Sequence, residues 1–126
     1  MYEKDLHRRP ANHVPLTPLS FLPRAAAVYG QKTAVIYEQT SYNYNTLYIR
    51  CRKLASSLQD VGVSQNDTVS VLAPNVPAML EAHFAVPMCG AILNTINIRL
   101  DATTVAFILA HSEAKVLIVD REFSVL

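Results

Sequence analysis

The side chains that could act as nucleophiles include both cysteines and, among the serines, Ser70 and Ser112. A catalytic thiol or hydroxyl needs an activating base within reach. Cys51 lies on an apolar helical stripe, which predicts a core position. Cys89 lies at the end of a predicted helix, where the helix dipole raises the pKa of a thiol. No GxSxG turn surrounds Ser70 or Ser112. We therefore predict no catalytic residue in this chain.

The four histidines lack the spacing of a metal site. His7 and His13 lie among prolines near the N-terminus and are expected in solvent. His83 is expected to be packed or partly buried in a helix. His111 ends another helix, where the dipole favours a cation. None has a second histidine four residues away or a nearby cysteine, so we predict no metal ligand.

A loop that holds phosphates would need several glycines at fixed spacing, because its backbone amides must approach the phosphate oxygens. The three glycines are Gly30, Gly62 and Gly90, and each follows a predicted helix. They are expected to be helix caps. The sequence contains neither a Walker-type loop nor a GxGxxG turn. We therefore predict no cofactor-binding residue in this segment.

Composition limits the class of protein. The 126 residues are 51% hydrophobic, which is enough for the core of one domain. Eleven Lys and Arg against ten Asp and Glu leave a net charge of +1, so no nucleic acid or anionic membrane partner is expected. Two cysteines without a paired spacing favour a reducing compartment. Four of the six tyrosines lie between Tyr37 and Tyr48 and are expected to pack rather than to stack on bases.

The sequence predicts neither a membrane span nor a secretory signal. The longest run without charge is Ala82 to Ile98, which is shorter than a span of about 20 residues. Glu3 and Asp5, followed by several prolines, do not fit a signal peptide or a mitochondrial presequence. We expect a cytoplasmic or peroxisomal protein that is not secreted.

The elements that would position a site begin with an irregular arm over residues 1–15. Thr17 and Pro18 favour a helix start, and the helix is expected to end at Gly30. Pro23 should split or kink it, because proline cannot donate a backbone hydrogen bond. Alternating residues then predict a hairpin, with Thr33–Tyr37 and Thr40–Tyr42 as its strands. The turn between them lacks the usual glycine or asparagine, so the register stays open.

Asn43 is expected to cap a long helix over Tyr44–Val61. Its apolar residues are spaced by four, three, four and three positions, which places them on one face. This predicted stripe consists of Leu47, Cys51, Leu54, Leu58 and Val61.

The second half predicts a β-α-β-α-β unit. The strands are nearly continuous runs of Val, Ile and Leu, which is typical of a parallel sheet with helices on both faces. Asn75 and Asp101 are expected to cap the two helices, and Asp120 follows the last strand. The predicted elements are Thr68–Ala73, Val76–Cys89, Ala91–Ile96, Ala102–His111 and Lys115–Val119. The fold class is α/β, with a β-hairpin and a mostly parallel sheet.

The last residues, Asp120 to Leu126, end on apolar side chains that resemble the first turn of another element. A parallel strand at Val116 also needs helices on both faces, and few remain to cover it. We therefore expect residues 16–126 to form an incomplete domain.

Several runs are similar to a known family. They are Leu16–Leu22, Thr33–Tyr37, Ser41–Tyr44, Arg52–Leu58, Val71–Met79, Glu81–Phe84, Val86–Met88, Ala91–Leu100 and Ala114–Asp120. They resemble the opening of the adenylate-forming acyl-activating enzymes, the AMP-dependent synthetase and ligase family that includes acyl-CoA synthetases. The resemblance is strongest to the plant-type subgroup that activates benzoate and short- or medium-chain acids. It covers nearly all of this chain and about the first quarter of the family's.

The resemblance implies a two-step reaction in the full-length family. ATP and a carboxylate form an acyl adenylate, and CoA then displaces AMP. The implied cofactors are ATP, Mg²⁺ and CoA, and the implied substrate is a carboxylic acid. The phosphate loop, the adenine and ribose contacts and the catalytic lysine belong to later motifs, so no family site residue is assigned here. The expected function is the N-terminal AMP-binding segment of a carboxylate–CoA ligase, inactive alone.

Two alternatives stay open. The first is a short non-catalytic interaction protein or truncated paralogue, which self-associates or docks on full-length relatives through the sheet left uncovered after Val119. The second is a flavodoxin- or receiver-like domain. Such a domain needs a phosphate loop or an acidic cluster at its strand ends, and Ala73–Pro74 and Thr95 supply neither.

Overall fold

The computed structural model describes residues 7–9, 11, 13–14 and 17–124. The described residues of the expected arm, before residue 15, lie in neither helix nor strand. The helices are α1 Phe21–Tyr29, α2 Tyr44–Asp60, α3 Pro77–Met88 and α4 Ala102–His111. The strands are β1 Thr33–Tyr37, β2 Thr40–Asn43, β3 Thr68–Leu72, β4 Ile92–Thr95 and β5 Ala114–Val119. Two 3₁₀ turns, Pro18–Ser20 and Arg121–Phe123, flank this series.

Pro23 divides the first predicted helix as expected. The hydroxyl of Thr17 accepts from the backbone N–H of Leu19 at 3.3 Å and starts a 3₁₀ turn. The α-helix begins only at Phe21, so Pro23 lies in its first turn. Backbone N–H groups there have no partner within the helix, and proline is therefore tolerated.

The three glycines follow helices, as predicted, but for two different reasons. Gly62 and Gly90 have φ of +89° and +70°, which only glycine adopts at little cost. Gly30 has an ordinary helical φ of −48°. A Cβ at Gly30 would lie 2.5 Å from the carbonyl oxygen of Ala26 and 2.5 Å from Oδ1 of Asn45. The Asn45 amide can move away, but the carbonyl of Ala26 belongs to the backbone of α1, so steric overlap rather than backbone conformation favours glycine at this position.

The hairpin forms with Tyr37 opposite Thr40 and Ile36 opposite Ser41. Its two-residue turn is possible without glycine because Glu38 takes the left-handed conformation, with φ of +50°. The second strand leads directly into α2.

Asn43 caps α2 as predicted, and its Oδ1 accepts from the N–H of Thr46 at 2.9 Å. The apolar stripe is buried at three of its five predicted positions: Leu47, Cys51 and Leu58. Leu54 is half-buried, and the prediction is wrong for Val61, which is 65% exposed because α2 has ended before it. Ala55 lies in the core instead.

The three later strands form the predicted parallel sheet in the order β4-β3-β5. Burial on both faces is confirmed for β3, in which Val69 and Val71 pack toward α2 and α3 and Leu72 packs toward α4. The prediction of burial on both faces is wrong for β4 and β5. Exposure alternates along β5, and both end residues of β4 are exposed. These strands are the outer ones of the described sheet, and α4 covers only part of one face.

Of the two caps predicted for α3 and α4, one is confirmed and the other is wrong. Asp101 caps α4, and its Oδ1 accepts from the N–H of Thr104 at 3.0 Å. Asn75 does not cap α3, because the extended residue before the helix is Val76 and Pro77 takes the first helical position. In the described part of the chain, no helix is both long and apolar enough to cross a bilayer.

Candidate functional site

The residues that follow β3 and β4 line a groove at the carboxyl ends of the parallel strands. This strand-end groove has a volume of about 440 Å³. Its polar side chains come from both connections and from α3: Asn75, His83, Thr95 and Asn97. In open α/β sheets, ligands bind outside the carboxyl ends of the strands, because the connecting loops diverge there. The strand-end groove is therefore the candidate site that the topology favours.

His83 has a defined tautomer in this groove. Its Nδ1 lies 2.8 Å from the carbonyl oxygen of Met79, one turn earlier in α3. A carbonyl oxygen only accepts, so Nδ1 carries the proton and Nε2 is left for another partner. The prediction of a packed or partly buried His83 is wrong, because the residue is exposed. The groove between the strand ends and α3 is open to solvent on this side.

The two asparagines shape the groove by their positions after the strands. Oδ1 of Asn97 accepts from the N–H of Arg99 at 3.0 Å, which tightens the turn after β4. Asn75 is exposed and lies between β3 and α3. Both side chains are neutral and can donate and accept hydrogen bonds.

A second, apolar groove of about 450 Å³ continues from the first. It lies between the hairpin and α3, and it shares Asn75, Met79 and His83 with the strand-end groove. Ile36, Leu80 and Phe84 are among its apolar residues, and Ile36 is 79% exposed. The two grooves together form one surface with a polar and an apolar end.

The chemistry of the strand-end groove does not fit a triphosphate or a magnesium ion. Its lining residues supply amides, a hydroxyl and an imidazole, and none is Lys, Arg, Asp or Glu. Phosphates are held by cations or by backbone amides of glycine-rich loops, and Mg²⁺ prefers carboxylates. Among the described residues, no group of three or more His, Cys, Asp or Glu side chains could hold a metal ion.

The buried charge in the described residues is Glu81, on the core side of α3. The residue is 5% exposed, and its carboxylate accepts three hydrogen bonds. The hydroxyl of Tyr42 donates to Oε1 at 2.8 Å. Nε of Arg50 donates to Oε1 at 2.6 Å, and Nη2 donates to Oε2 at 3.3 Å. This Arg50–Glu81–Tyr42 cluster joins β2, α2 and α3.

The cluster is a structural support rather than a proton-transfer group. Burial, followed by the hydrogen bond and charge of Glu81, raises the pKa of Tyr42 to about 12. The hydrogen bond to Glu81 also raises the pKa of Arg50 above its usual value. Each group is therefore held in the protonation state that the ion pair needs. Sequence reasoning missed this cluster, although a glutamate between Leu80 and Ala82 in an apolar helix was an available signal.

The sequence-predicted candidates for nucleophilic chemistry lie elsewhere. Cys51 is fully buried, and burial raises its pKa to about 11. The pKa of Cys89 is also raised, and the cause is burial; its Sγ donates to the carbonyl of Ala55 at 3.3 Å. Nδ2 of Asn94 donates to Oγ of Ser70 at 2.9 Å and to Oγ of Ser112 at 3.2 Å. Asn94 of β4 therefore links Ser70 of β3 to Ser112 at the end of α4.

The remaining candidates have local roles. Nε2 of His7 accepts from Nε of Arg9 at 2.8 Å, and His13 is exposed, as expected. His111 is in the last turn of α4 and its ring stacks on Phe107, with 5.6 Å between the ring centroids. Oδ1 of Asp120 accepts from the N–H of Glu122 at 3.0 Å and caps the final 3₁₀ turn. None of these residues lines the strand-end groove.

Of the four tyrosines between Tyr37 and Tyr48, three pack as predicted, and the prediction is wrong for Tyr37, which is exposed. Tyr42, Tyr44 and Tyr48 lie against the core cluster around Leu47. Two arginines of α2 cover their rings: Arg50 lies 5.5 Å from the Tyr42 ring centroid and Arg52 lies 5.6 Å from that of Tyr48.

Comparison with known proteins defines the class. Residues 22–125 match the family model of the AMP-binding enzymes. Over 119 residues the chain is 54% identical to an acetate/butyrate–CoA ligase of Arabidopsis thaliana, named as peroxisomal. Over 119 residues it is 56% identical to a peroxisomal trans-cinnamate:CoA ligase of Petunia hybrida. Each match covers 94% of this chain and 21% of the relative.

The fold agrees with these matches. A fatty acyl CoA synthetase of Mycobacterium tuberculosis superposes with a TM-score of 0.81 at 26% identity, over 84% of this chain and 22% of that protein. The chain belongs to the AMP-binding enzyme family. It spans about a fifth of the length of the relatives that it matches. The expected α/β fold of an adenylate-forming enzyme's N-terminal region is confirmed.

Proposed function

We propose that this chain is the N-terminal part of an ATP-dependent carboxylate–CoA ligase, which forms an acyl adenylate and then an acyl-CoA. The observation that carries the proposal is the family match over residues 22–125, combined with more than half identity to enzymes named as CoA ligases. The substrate we propose is a benzoate-like or a short- or medium-chain carboxylic acid. ATP, Mg²⁺ and CoA are the cofactors of the full-length enzyme.

Within such an enzyme, this segment acts as a scaffold. Its parallel strands end at a groove with neutral polar groups, and the buried Arg50–Glu81–Tyr42 cluster holds the hairpin on α3. The groove lacks the charged side chains that would stabilise a triphosphate. We therefore propose that the 126 residues alone do not form an acyl adenylate.

A segment exchange tests the proposal directly. The matching residues of the Arabidopsis acetate/butyrate–CoA ligase are replaced by this chain, and carboxylate-dependent ATP–pyrophosphate exchange is measured. We expect the chimera to retain exchange and to form an acyl-CoA, since more than half of the exchanged residues are identical. The 126-residue chain alone should give no exchange above the enzyme-free blank.

The matched control is a second chimera that carries the corresponding segment of the Petunia ligase, which is equally long. If that chimera is active while the first is folded and inactive, this chain is not a working ligase segment. If the isolated chain catalyses exchange, the proposed division between scaffold and catalytic parts is wrong.

For location, we propose the cytoplasm or the peroxisome. Both relatives described above carry a peroxisomal name, which supports the second. Fractionation of source tissue with an antibody against residues 17–30 would separate the two compartments, and a band in the secreted fraction would contradict both.

A second candidate function is a non-catalytic interaction protein, favoured by the exposed side chains of Leu117 and Val119 on β5. Such a protein would co-purify with a full-length relative and would not support exchange in the chimera. The segment exchange therefore distinguishes the two functions.

A further inference from the structure

The helix α3 has apolar side chains around its whole circumference. Glu81 is its single residue of the Asp, Glu, Lys and Arg types, and it lies on the side that packs on α2. Apolar residues occur on the buried side, where Ala82 and Val86 lie, and also on the open side, where Leu80 lies. A helix with one apolar stripe has a favoured face, whereas a helix that is apolar all round has none. Hydrophobic burial therefore does not determine the rotation of α3 about its own axis.

Glu81 makes the directional contacts that apolar burial lacks. Its nearly fully buried carboxylate accepts from the Tyr42 hydroxyl at 2.8 Å and from Nε of Arg50 at 2.6 Å. These donors belong to β2 and α2, two elements that follow each other directly in the chain. Hydrogen bonds require a particular direction, whereas hydrophobic contacts do not. A rotation of α3 by one residue is about 100°, which would carry the carboxylate away from both donors.

The ion pair within the cluster is favourable in one arrangement only. Burial removes a carboxylate and part of a guanidinium from water, and their mutual attraction offsets that penalty only when the geometry is good. Replacement of such a pair by apolar side chains of similar volume is often neutral or stabilising. Separation of the two partners inside the protein leaves a buried charge without a counter-ion, which is strongly unfavourable. The cluster therefore acts on the choice between packings more than on the total stability.

We propose that the Arg50–Glu81–Tyr42 cluster selects one rotation of α3 against its neighbours and adds little to the free energy of unfolding. This rotation also decides the composition of the strand-end groove. His83 follows Glu81 by two residues and lies about 160° around the helix from it. The rotation that buries Glu81 is therefore the one that places His83 in the strand-end groove. The cluster positions the imidazole through the backbone of α3.

Cys89 reports the rotation of α3, and Cys51 is its internal reference. Cys89 directly follows α3, and its buried Sγ donates to the carbonyl of Ala55 on α2 at 3.3 Å. Cys51 is fully buried in the separate core cluster around Leu47. Global unfolding exposes both thiols, whereas a rotation of α3 exposes Cys89 alone. The ratio of their maleimide labelling rates, assigned by mass spectrometry, separates a change of rotation from a loss of stability.

The apolar variant Tyr42→Phe/Arg50→Met/Glu81→Met tests the proposal in the full 126-residue chain. We expect its urea midpoint to stay at or above that of the parent, since apolar side chains replace the buried ion pair. Labelling of Cys89 relative to Cys51 should become at least about tenfold faster, which corresponds to a decrease of about 1.4 kcal/mol in the free energy that keeps Cys89 covered. The amide NMR signals of α3 should broaden or split, because more than one packing is populated.

Two matched variants serve as controls. Glu81→Gln keeps the length of the side chain and an acceptor oxygen, and Oε1 is the atom that accepts from both Tyr42 and Arg50. This variant should keep the parent's labelling ratio. Tyr48→Phe/Arg52→Met removes another arginine that lies over a tyrosine ring on α2, and among the described residues this arginine makes no ion pair with α3. It should change neither the labelling ratio nor the signals of α3.

None of these readouts depends on ligase activity. An apolar variant that does not fold, or whose urea midpoint falls well below the parent's, overturns the proposal, because the cluster would then supply net stability. An apolar variant with the parent's labelling ratio and a single set of α3 signals also overturns it, because the shape of the core would then fix the rotation. The same change of ratio in either control variant overturns it as well, because the effect would not belong to the hydrogen bonds of Glu81.

Discussion

Removal of Arg50 should destabilise this chain more than neutralisation of its partner Glu81. The side chain of Arg50 is 51% exposed and that of Glu81 is 7% exposed. In Arg50→Met the carboxylate stays buried without a cation, and the expected loss is about 3 kcal/mol of unfolding free energy. In Glu81→Gln the guanidinium can be hydrated and the amide oxygen still accepts, so we expect a loss of about 1 kcal/mol.

The double variant gives the sharpest test. Adding Glu81→Gln to Arg50→Met removes the unpaired charge, and the double variant should be more stable than Arg50→Met alone. Urea unfolding followed by far-ultraviolet circular dichroism measures each free energy. The matched control is Arg52→Met, on the same helix and without a carboxylate partner among the described residues, which should change stability by no more than about 0.5 kcal/mol.

Two results would refute this reasoning. One is an Arg50→Met variant that is as stable as Glu81→Gln. The other is a double variant that is less stable than Arg50→Met, because then the carboxylate would still be contributing favourably without its cation.

Five further outcomes follow from the structure. Because the pKa of Tyr42 rises to about 12 from 10.0, its contribution to stability is complete below pH 10 and is lost as pH rises to 12; Tyr42→Phe should abolish this loss in urea titrations. Asn43→Ala should cost about 1 kcal/mol in the same assay, because α2 loses its cap. Gly30→Ala should cost at least about 2 kcal/mol through steric overlap. Gly62→Ala should cost about 1 kcal/mol through backbone strain alone, and equal losses at the two glycines would contradict the packing explanation. With a pKa of about 11, the Cys51 thiol should resist aromatic disulfide reagents until the chain unfolds, and rapid labelling of folded protein would contradict its burial.

Helices, strands and most caps of this protein could be predicted from the sequence because their signals are local. Asn43 and Asp101 are followed by apolar residues at helical spacing, and each accepts from an N–H three residues ahead. The β-α-β-α-β order likewise follows from Val/Ile/Leu runs separated by helical segments. Local reasoning fails at Asn75. The helix begins at Pro77 rather than at Val76, so Val76 and not Asn75 lies at the N-cap position.

The candidate site depended on contacts between distant residues. Asn75, His83, Thr95 and Asn97 share one groove because β3 and β4 are parallel neighbours with α3 beside their ends. Spacing in the sequence does not show this neighbourhood. His83 also looked like a packing residue, since its helix neighbours are apolar, and only the position of α3 showed its exposure.

By itself the sequence determined the α/β class, the succession of elements and the resemblance to the adenylate-forming family, because backbone preferences and motifs are encoded over a few residues. Tertiary structure alone decided that Glu81 is buried with Arg50 and Tyr42, which come from two other elements. It also decided that β4 and β5 are the outer strands of the described parallel sheet. Burial and edge position depend on how much surface other elements cover, and no local pattern carries that information.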